Sequence, residues 1–251
     1  MNEIGIVIQA RMGSSRLPGK VLRQFHDGEN LLSLILSSIH KERLDIPIVV
    51  ATSLNPVDNP IYDFCSKRNI FCFRGAENNV TSRFVECALR YNFDYIIRVC
   101  ADNPFFDASS VEGLIESLED DNQIDYVGYQ INSTPAIKTH LGFWAELVSV
   151  EALNRTLRET NDIDVLQHVT NYIYSHSNIF TIKWKMVYSE IFQSLPMRLT
   201  VDTLDDFEFI DELRLKLSHR KKLNIQMLVD EITNNTDMLK RMKRNIRENA
   251  K

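Results

Sequence analysis

Along the first half of the chain, short apolar runs alternate with segments whose apolar residues recur at helical spacing. The opening run IGIVIQA (Ile4–Ala10) is continuous and β-branched, which predicts a strand buried on both faces. In NLLSLILSSIHK, Leu31, Leu34, Ile35 and Ile39 fall on one face of a helix. IPIVVAT predicts a second strand. NPIYDFCSKRN predicts a short helix with Pro60 in its first turn, where a missing amide hydrogen costs little. IFCF, VTSRFVECALRYN and YIIRVCA follow as strand, helix and strand. SSVEGLIESLE then reads as a helix capped at Ser109 with Glu112 three residues on, and DYVGYQI as a strand. Alternation of this kind predicts an α/β fold, a mostly parallel sheet with helices on both faces. Ligands of such sheets bind at the carboxyl ends of the strands. The out-of-place polar residues gather there: Gln9 to Lys20 after the first strand, Asp102 after the fourth.

From about residue 131 to 196 the alternation breaks. VSVEALNRTLRE and VLQHVTNYIYSH read as helices and NIFTIKWKMV as extended chain, which suits a subdomain, an insertion over the site or an oligomer contact. MRLTVDTLDDFEFIDELRLKL restores the earlier style, with a strand ending at Asp202 and a helix from near Asp205. The expected organisation is one domain over 1–220, holding the inserted span 131–196, and a basic helical extension over 221–251 of one or two polar helices. No internal repeat or low-complexity tract interrupts it.

With 251 residues, 44% of them hydrophobic, the chain can bury a substantial core. A formal charge of -5 argues against a general nucleic-acid binder. The tail clusters HRKK and KRMKR mix with acids and lack a long apolar face, so they predict a solvated helix, not a nucleic-acid or membrane arm. The four cysteines, Cys65, Cys72, Cys87 and Cys100, form no C-x-x-C pair and sit among apolar residues, as core thiols of a reducing cytosol do. IGIVI is too short for a secretory apolar region, and no run approaches the roughly 20 apolar residues of a membrane span. A soluble, cytoplasmic protein is expected.

Chemistry concentrates in QARMGSSRLPGK. The P-loop pattern fails here: Gly13 and Gly19 are one residue too far apart, and Val21 stands where a hydroxyl residue is required. The dinucleotide pattern G-x-G-x-x-G is absent as well. The physical features of a polyphosphate site remain. Gly13 admits close approach of an anion, Ser14 and Ser15 add hydroxyl donors, and Arg11, Arg16 and Lys20 bring charge. Local composition alone fits a basic solvated loop equally well. Asp102 and Asp202 each end a predicted strand, and neighbouring parallel strands would bring both to one rim. Two carboxylates there are costly unless a cation joins them, and Mg²⁺ is the natural one. Taken alone, Asp202 also fits a cap before TLDDF.

IQARMGSSRLPGKVL closely resembles the first motif of the cytidylyltransferases that make CMP-activated sugar acids. These are the CMP-KDO synthetases, the acylneuraminate cytidylyltransferases and, above all, the spore-coat polysaccharide protein F-like branch. NNVTSRF, RVCADNPF, QHVTNYIYSH and LTVDTLDDFEFI resemble later family segments in the same order, so the likeness spans Ile4 to Leu213. Ala101, Leu204, Asn78, Asn79 and Gln167 depart from the usual family residues.

The resemblance implies a Rossmann-like, GT-A-like fold of the nucleotide-diphospho-sugar transferase kind, CTP and a sugar acid as substrates, and Mg²⁺ on Asp102 and Asp202. It implies catalytic roles for Arg11, Lys20, Asp102 and Asp202. Gln9, Ala10 and Arg83 would lie near the base, and Arg11, Gly13, Ser14, Ser15, Arg16 and Lys20 on the phosphates. His168, with Thr170, would touch the acceptor; Lys138, His140, Glu146 and Arg198 are weaker acceptor candidates. Relatives dimerise between their last two motifs, which implies a homodimer through 131–196. Phe105, Phe106, Trp144 and Tyr172 read as core or interface. The alternatives are a nucleotidyltransferase with another acceptor (a non-acid sugar or polyol phosphate), a glycosyltransferase consuming a nucleotide sugar, and a catalytically silent nucleotide-binding partner.

Overall fold

The computed structural model describes residues 2–120, 123–187, 192, 197–220 and 224–248. Residues 193–196, where the inserted span is expected to end, and 221–223, where the extension is expected to begin, lie outside the described residues. The strands are β1 (Ile4–Gln9), β2 (Ile48–Ser53), β3 (Phe71–Gly75), β4 (Tyr95–Cys100), β5 (Tyr126–Ile131), β6 (Thr134–Pro135), β7 (Glu146–Ser149) and β8 (Ile182–Met186). The first helices are α1 (Leu31–Glu42), α2 (Asn59–Ser66), α3 (Val80–Tyr91), α4 (Ser110–Asp120) and α5 (Val150–Glu159). After them come α6 (Ile163–Gln167), α7 (Asn171–Ser175), α8 (Leu204–Leu217), α9 (Ile225–Thr233) and α10 (Thr236–Glu248).

Among the described residues, eight strands form one sheet in the order β3-β2-β1-β4-β7-β5-β6, with β8 also paired to β5. The first four are parallel, as the alternation predicts, and β1 is central. Its continuous apolar character follows from burial on both faces. Ile6 and Ile8 pack with α1, α2 and α4, whereas Val7 packs with α3 and α5. A third cluster joins α8, α9 and α10 to Leu199 and Val201.

Four sequence expectations change. The run read as helix from Val148 opens as β7, an antiparallel strand wedged between β4 and β5. Four residues running straight into α5 are too few to show a period of two. The inserted span therefore contributes β6, β7 and β8 to the main sheet. The helix expected over 165–176 breaks into α6 and α7 at Val169, whose φ of 43° is left-handed and strained for a β-branched residue. The segment before Asp202 is not a strand. It is held by single bonds: Leu199 and Thr200 donate to the His140 carbonyl, at 2.7 and 3.1 Å, and Val201 to that of Asp102, at 2.9 Å. Finally, the basic tail is docked. Met238 and Met242 are buried, and Arg241 and Arg244 grip Asp205.

Candidate active site

β1 delivers the chain to the rim at Gln9, and Ala10 extends the ladder by one bond to the Ala51 carbonyl, at 3.2 Å. The loop beyond is folded around Met12. Its carbonyl accepts from Ser14 and Gly19, at 2.9 and 2.8 Å, and its amide donates to Asp58 Oδ1, at 2.7 Å. Asp58 is buried and also accepts from the Ser53 amide (3.1 Å) and hydroxyl (2.5 Å). The loop is thus fastened to the β2–α2 connection. Gly19 adopts a left-handed φ of 73°, open to glycine without steric cost, and the single turn Lys20–Leu22 that follows points Lys20 inward.

The buried Lys20 ammonium is the centre of the site. Nζ donates to Val201 O at 2.6 Å, Asp202 Oδ1 at 3.2 Å and Asp102 Oδ2 at 3.3 Å. Arg16 reaches the same Asp202 oxygen at 3.2 Å. The two carboxylates do meet, though not through adjacent strands. Asp102 lies in the turn after β4, and Asp202 sits before α8, whose start is fixed by a reciprocal cap: Asp206 donates its amide to Thr203 Oγ1 and accepts the Thr203 amide.

Behind Asp202 stands a fully enclosed ion cluster. Arg198 donates from Nε and Nη2 to the two oxygens of Asp206 (2.7 and 2.8 Å) and from Nη2 to Asp202 Oδ2 (3.2 Å), while Nη1 meets His140 Nδ1 at 3.0 Å. Burial alone would raise the Asp206 carboxyl. Its bonds to Arg198 and to the amides of Asp202 and Thr203 hold it below its ordinary value.

A single cleft runs from this cluster across the rim. Gln9, Arg11, Ser14, Ser15, Arg16, Lys20, Asp102 and Asp202 line it, and so does His168. Ala10 is buried beneath. Gly13 is off the cleft lining, and a Cβ there would meet nothing within 4 Å. Arg83 is enclosed in α3 at 1% exposure, and its Nε and Nη1 have no hydrogen-bond partner. Burial pushes its guanidinium down to about 10. Of the weaker acceptor candidates, Lys138 is exposed with its ammonium 5.0 Å from the centre of the Tyr174 ring, and His140 backs Arg198. Glu146 and Arg198 are buried and absent from the cleft lining. Glu146 accepts from Arg98, Tyr126 and Thr170, so both oxygens are occupied within the fold.

Sequence reasoning missed several residues. Asp58 carries no local signal, because its role appears only when the β1 loop lies across it. Arg98 did carry one: a lone arginine within the apolar strand YIIRVCA demands a buried partner. Trp144, read as core or interface, lines the cleft beside Gly142, where a Cβ would come within 2.7 Å of Asn103 Oδ1.

Comparisons with known proteins bear on the chain as a whole. The family model described as cytidylyltransferase matches residues 5–234. Over 244 residues the chain is 34% identical to the spore coat polysaccharide biosynthesis protein SpsF of Bacillus subtilis, covering 94% of this chain and 97% of that protein. The fold superposes on a cytidylyltransferase from Leptospira borgpetersenii with a TM-score of 0.81 at 22% identity, over 95% of this chain and 97% of that one. It also superposes on CMP:2-keto-3-deoxy-manno-octonic acid synthetase complexed with CTP, with a TM-score of 0.63 at 18% identity, over 85% of this chain and 99% of that one.

Proposed function

The chain belongs to the cytidylyltransferase family and is a CTP-dependent nucleotidyltransferase of Rossmann-like fold, and from that premise we propose that it transfers CMP from CTP to the hydroxyl of a sugar acid of the KDO or nonulosonic type, with release of pyrophosphate, for surface-polysaccharide synthesis. One observation carries the reading: Lys20, Asp102 and Asp202 converge within 3.3 Å at the end of a loop rich in cations and hydroxyls. A loop of this kind holds a triphosphate by charge and hydrogen bonding, and phosphoryl-type transfer depends on such positioning more than on covalent help.

Arg11, Ser14, Ser15, Arg16 and Lys20 hold the outer phosphates and neutralise the leaving pyrophosphate, with the Gly13 backbone close to the anion. Gln9, Ala10 and Arg83 lie near the base, Gln9 from the cleft lining and Ala10 and Arg83 from within the fold. Asp102 and Asp202 fit a hard divalent ion. Among the described residues no set of three or more His, Cys, Asp or Glu side chains could hold a metal, and Mg²⁺ usually takes only one or two carboxylates, sharing itself with substrate phosphates. When bound there, Mg²⁺ polarises the α-phosphate. In this structure the Lys20 ammonium bridges the two carboxylates that the ion would share. His168, on the cleft lining, meets the acceptor, and the exposed Lys138 lies between Ile137 and Thr139, which also line the cleft. Arg198, His140 and Glu146 act from behind, by holding the residues that line it. The same reading makes the enzyme a cytoplasmic homodimer paired through 131–196. Among the described residues no helix is long and apolar enough to cross a membrane.

Pyrophosphate release from CTP and Mg²⁺ with a panel of sugar acids tests the reading. Release with at least one acid is expected; none with any acid, alongside turnover of a nucleotide sugar, would overturn it. Lys20→Ala is expected to weaken CTP by about 10–100-fold while changing CMP little, because an ion-paired hydrogen bond to an outer phosphate is worth about 1.5–3 kcal/mol. Titration of both nucleotides checks this, and equal losses would place Lys20 elsewhere.

A further inference from the structure

The apolar strand β4 carries one arginine, and its bonding fixes the orientation of a neighbour. Arg98 is buried on the sheet face shared with α3 and α5. Its Nη1 is bound to Glu146 of β7, and its Nε and Nη2 both donate to Gln9 Oε1, at 3.2 and 3.0 Å. Glu146 is held in turn by the hydroxyls of Tyr126 (2.6 Å) and Thr170 (2.9 Å). Burial, and then the charge of Glu146, keep the Tyr126 hydroxyl well above its ordinary value, so it stays a donor. Every partner in this chain is determined. A guanidinium has donors only, so the Gln9 amide must turn its oxygen down onto Arg98. Its NH₂ is left for the cleft that Gln9 lines.

We propose that the Glu146–Arg98–Gln9 relay selects cytosine over uracil by presenting Gln9 to the nucleotide as an amide that can only donate. This rests on the reading of the cationic loop as a triphosphate cradle with Gln9 beside the base. On cytosine N3 accepts a hydrogen bond; O2 accepts on both bases, so the contact that discriminates is the one to N3. On uracil, N3 carries a hydrogen and opposes a donor. An amide free to flip would serve either base, offering NH₂ to one and oxygen to the other. Arg98 removes that freedom, and the buried anion of Glu146 keeps Arg98 charged and in place. Gln9 is the residue that touches the base; Arg98 and Glu146 are positioning residues. Thr170 joins the relay from beside the strained Val169, which explains how a segment without a sheet partner bears on the floor of the cleft.

Isothermal titration of the intact protein with CTP and with UTP, in Mg²⁺ and without an acceptor, reads the Kd ratio directly. Gln9→Met keeps the length of the side chain and removes the donor. It is expected to lower the preference for CTP over UTP about tenfold, as for one neutral hydrogen bond lost and one left unmet. Glu146→Gln, which is off the cleft lining, is expected to lower the same ratio by a smaller factor. Inorganic tripolyphosphate is the control, and its affinity should not change in either variant. An unchanged ratio in both variants overturns the proposal, as does an equal loss for CTP, UTP and tripolyphosphate, which would mark a merely structural role. If Gln9→Met does not fold, Glu146→Gln carries the same comparison. Failure of the sugar-acid reading shows differently, as wild-type protein that binds CTP yet releases no pyrophosphate with any sugar acid.

Discussion

Asp102→Asn is expected to lower turnover about 10³-fold while the protein stays folded. The substitution keeps the shape of the side chain and removes its charge. Asp102 lies in a turn, and its contact with Lys20 is one of three that the ammonium makes, so Val201 O and Asp202 keep Lys20 in place. What is lost is half of the anionic pair proposed to hold the divalent ion at the reacting phosphate. A metal that stabilises transition-state charge supplies several kcal/mol, and 10³-fold corresponds to about 4 kcal/mol. Pyrophosphate release at saturating CTP, with circular dichroism as the control for folding, measures it. A rate within a few-fold of wild type would remove the metal assignment from Asp102.

The second large effect concerns stability. Arg198→Met is expected to destabilise the fold by about 3–5 kcal/mol, the usual cost of removing one partner from a buried ion cluster. Arg198 supplies both oxygens of Asp206 and one of Asp202 with donors, and all three residues are buried. The pH dependence should separate this from simple loss of packing. In the wild type the Asp206 carboxyl titrates below its ordinary value, so its contribution is complete above the ordinary carboxylate pKa of about 4 and fades only as pH falls through the depressed value. Without Arg198, burial would push the same carboxyl upward, and the stranded charge would cost most at neutral pH. The stability gap between variant and wild type should therefore narrow on acidification. Urea unfolding at pH 7 and near pH 4.5 checks both points; a gap under 1 kcal/mol at pH 7, or one that widens in acid, would contradict this account.

The two variants probe opposite sides of one device. Asp102 faces the cleft and is partly exposed, whereas Asp202 is backed by Arg198 and Asp206. The cluster holds Asp202 at 5% exposure while one of its oxygens stays turned to Lys20 and Arg16. A carboxylate cannot be held so firmly in a loop by its own backbone. It needs the capped first turn of α8 and the arginine beneath.

The amino-acid sequence by itself determined the parallel half of the sheet, because continuous β-branched runs such as Ile4–Ile8 can be satisfied only by burial on both faces, and the helical spacing in α1 and α3 is local. It also put Arg11, Ser14, Ser15, Arg16 and Lys20 into one short stretch, the composition on which the proposed phosphate loop rests. Tertiary structure alone decided the rest. β7 is too short to announce itself and exists because β4 and β5 flank it. The meeting of Asp102 with Asp202 depends on a non-strand segment hung from the His140 and Asp102 carbonyls. Arg198 and Glu146, plausible acceptor contacts on charge alone, became internal supports once their partners closed around them. The tail docked because Met238 and Met242 found a face on α8 and α9, a complement that no property of the tail reveals. Periodicity and motif report what a segment needs; which distant group meets that need is fixed only when the chain has closed on itself.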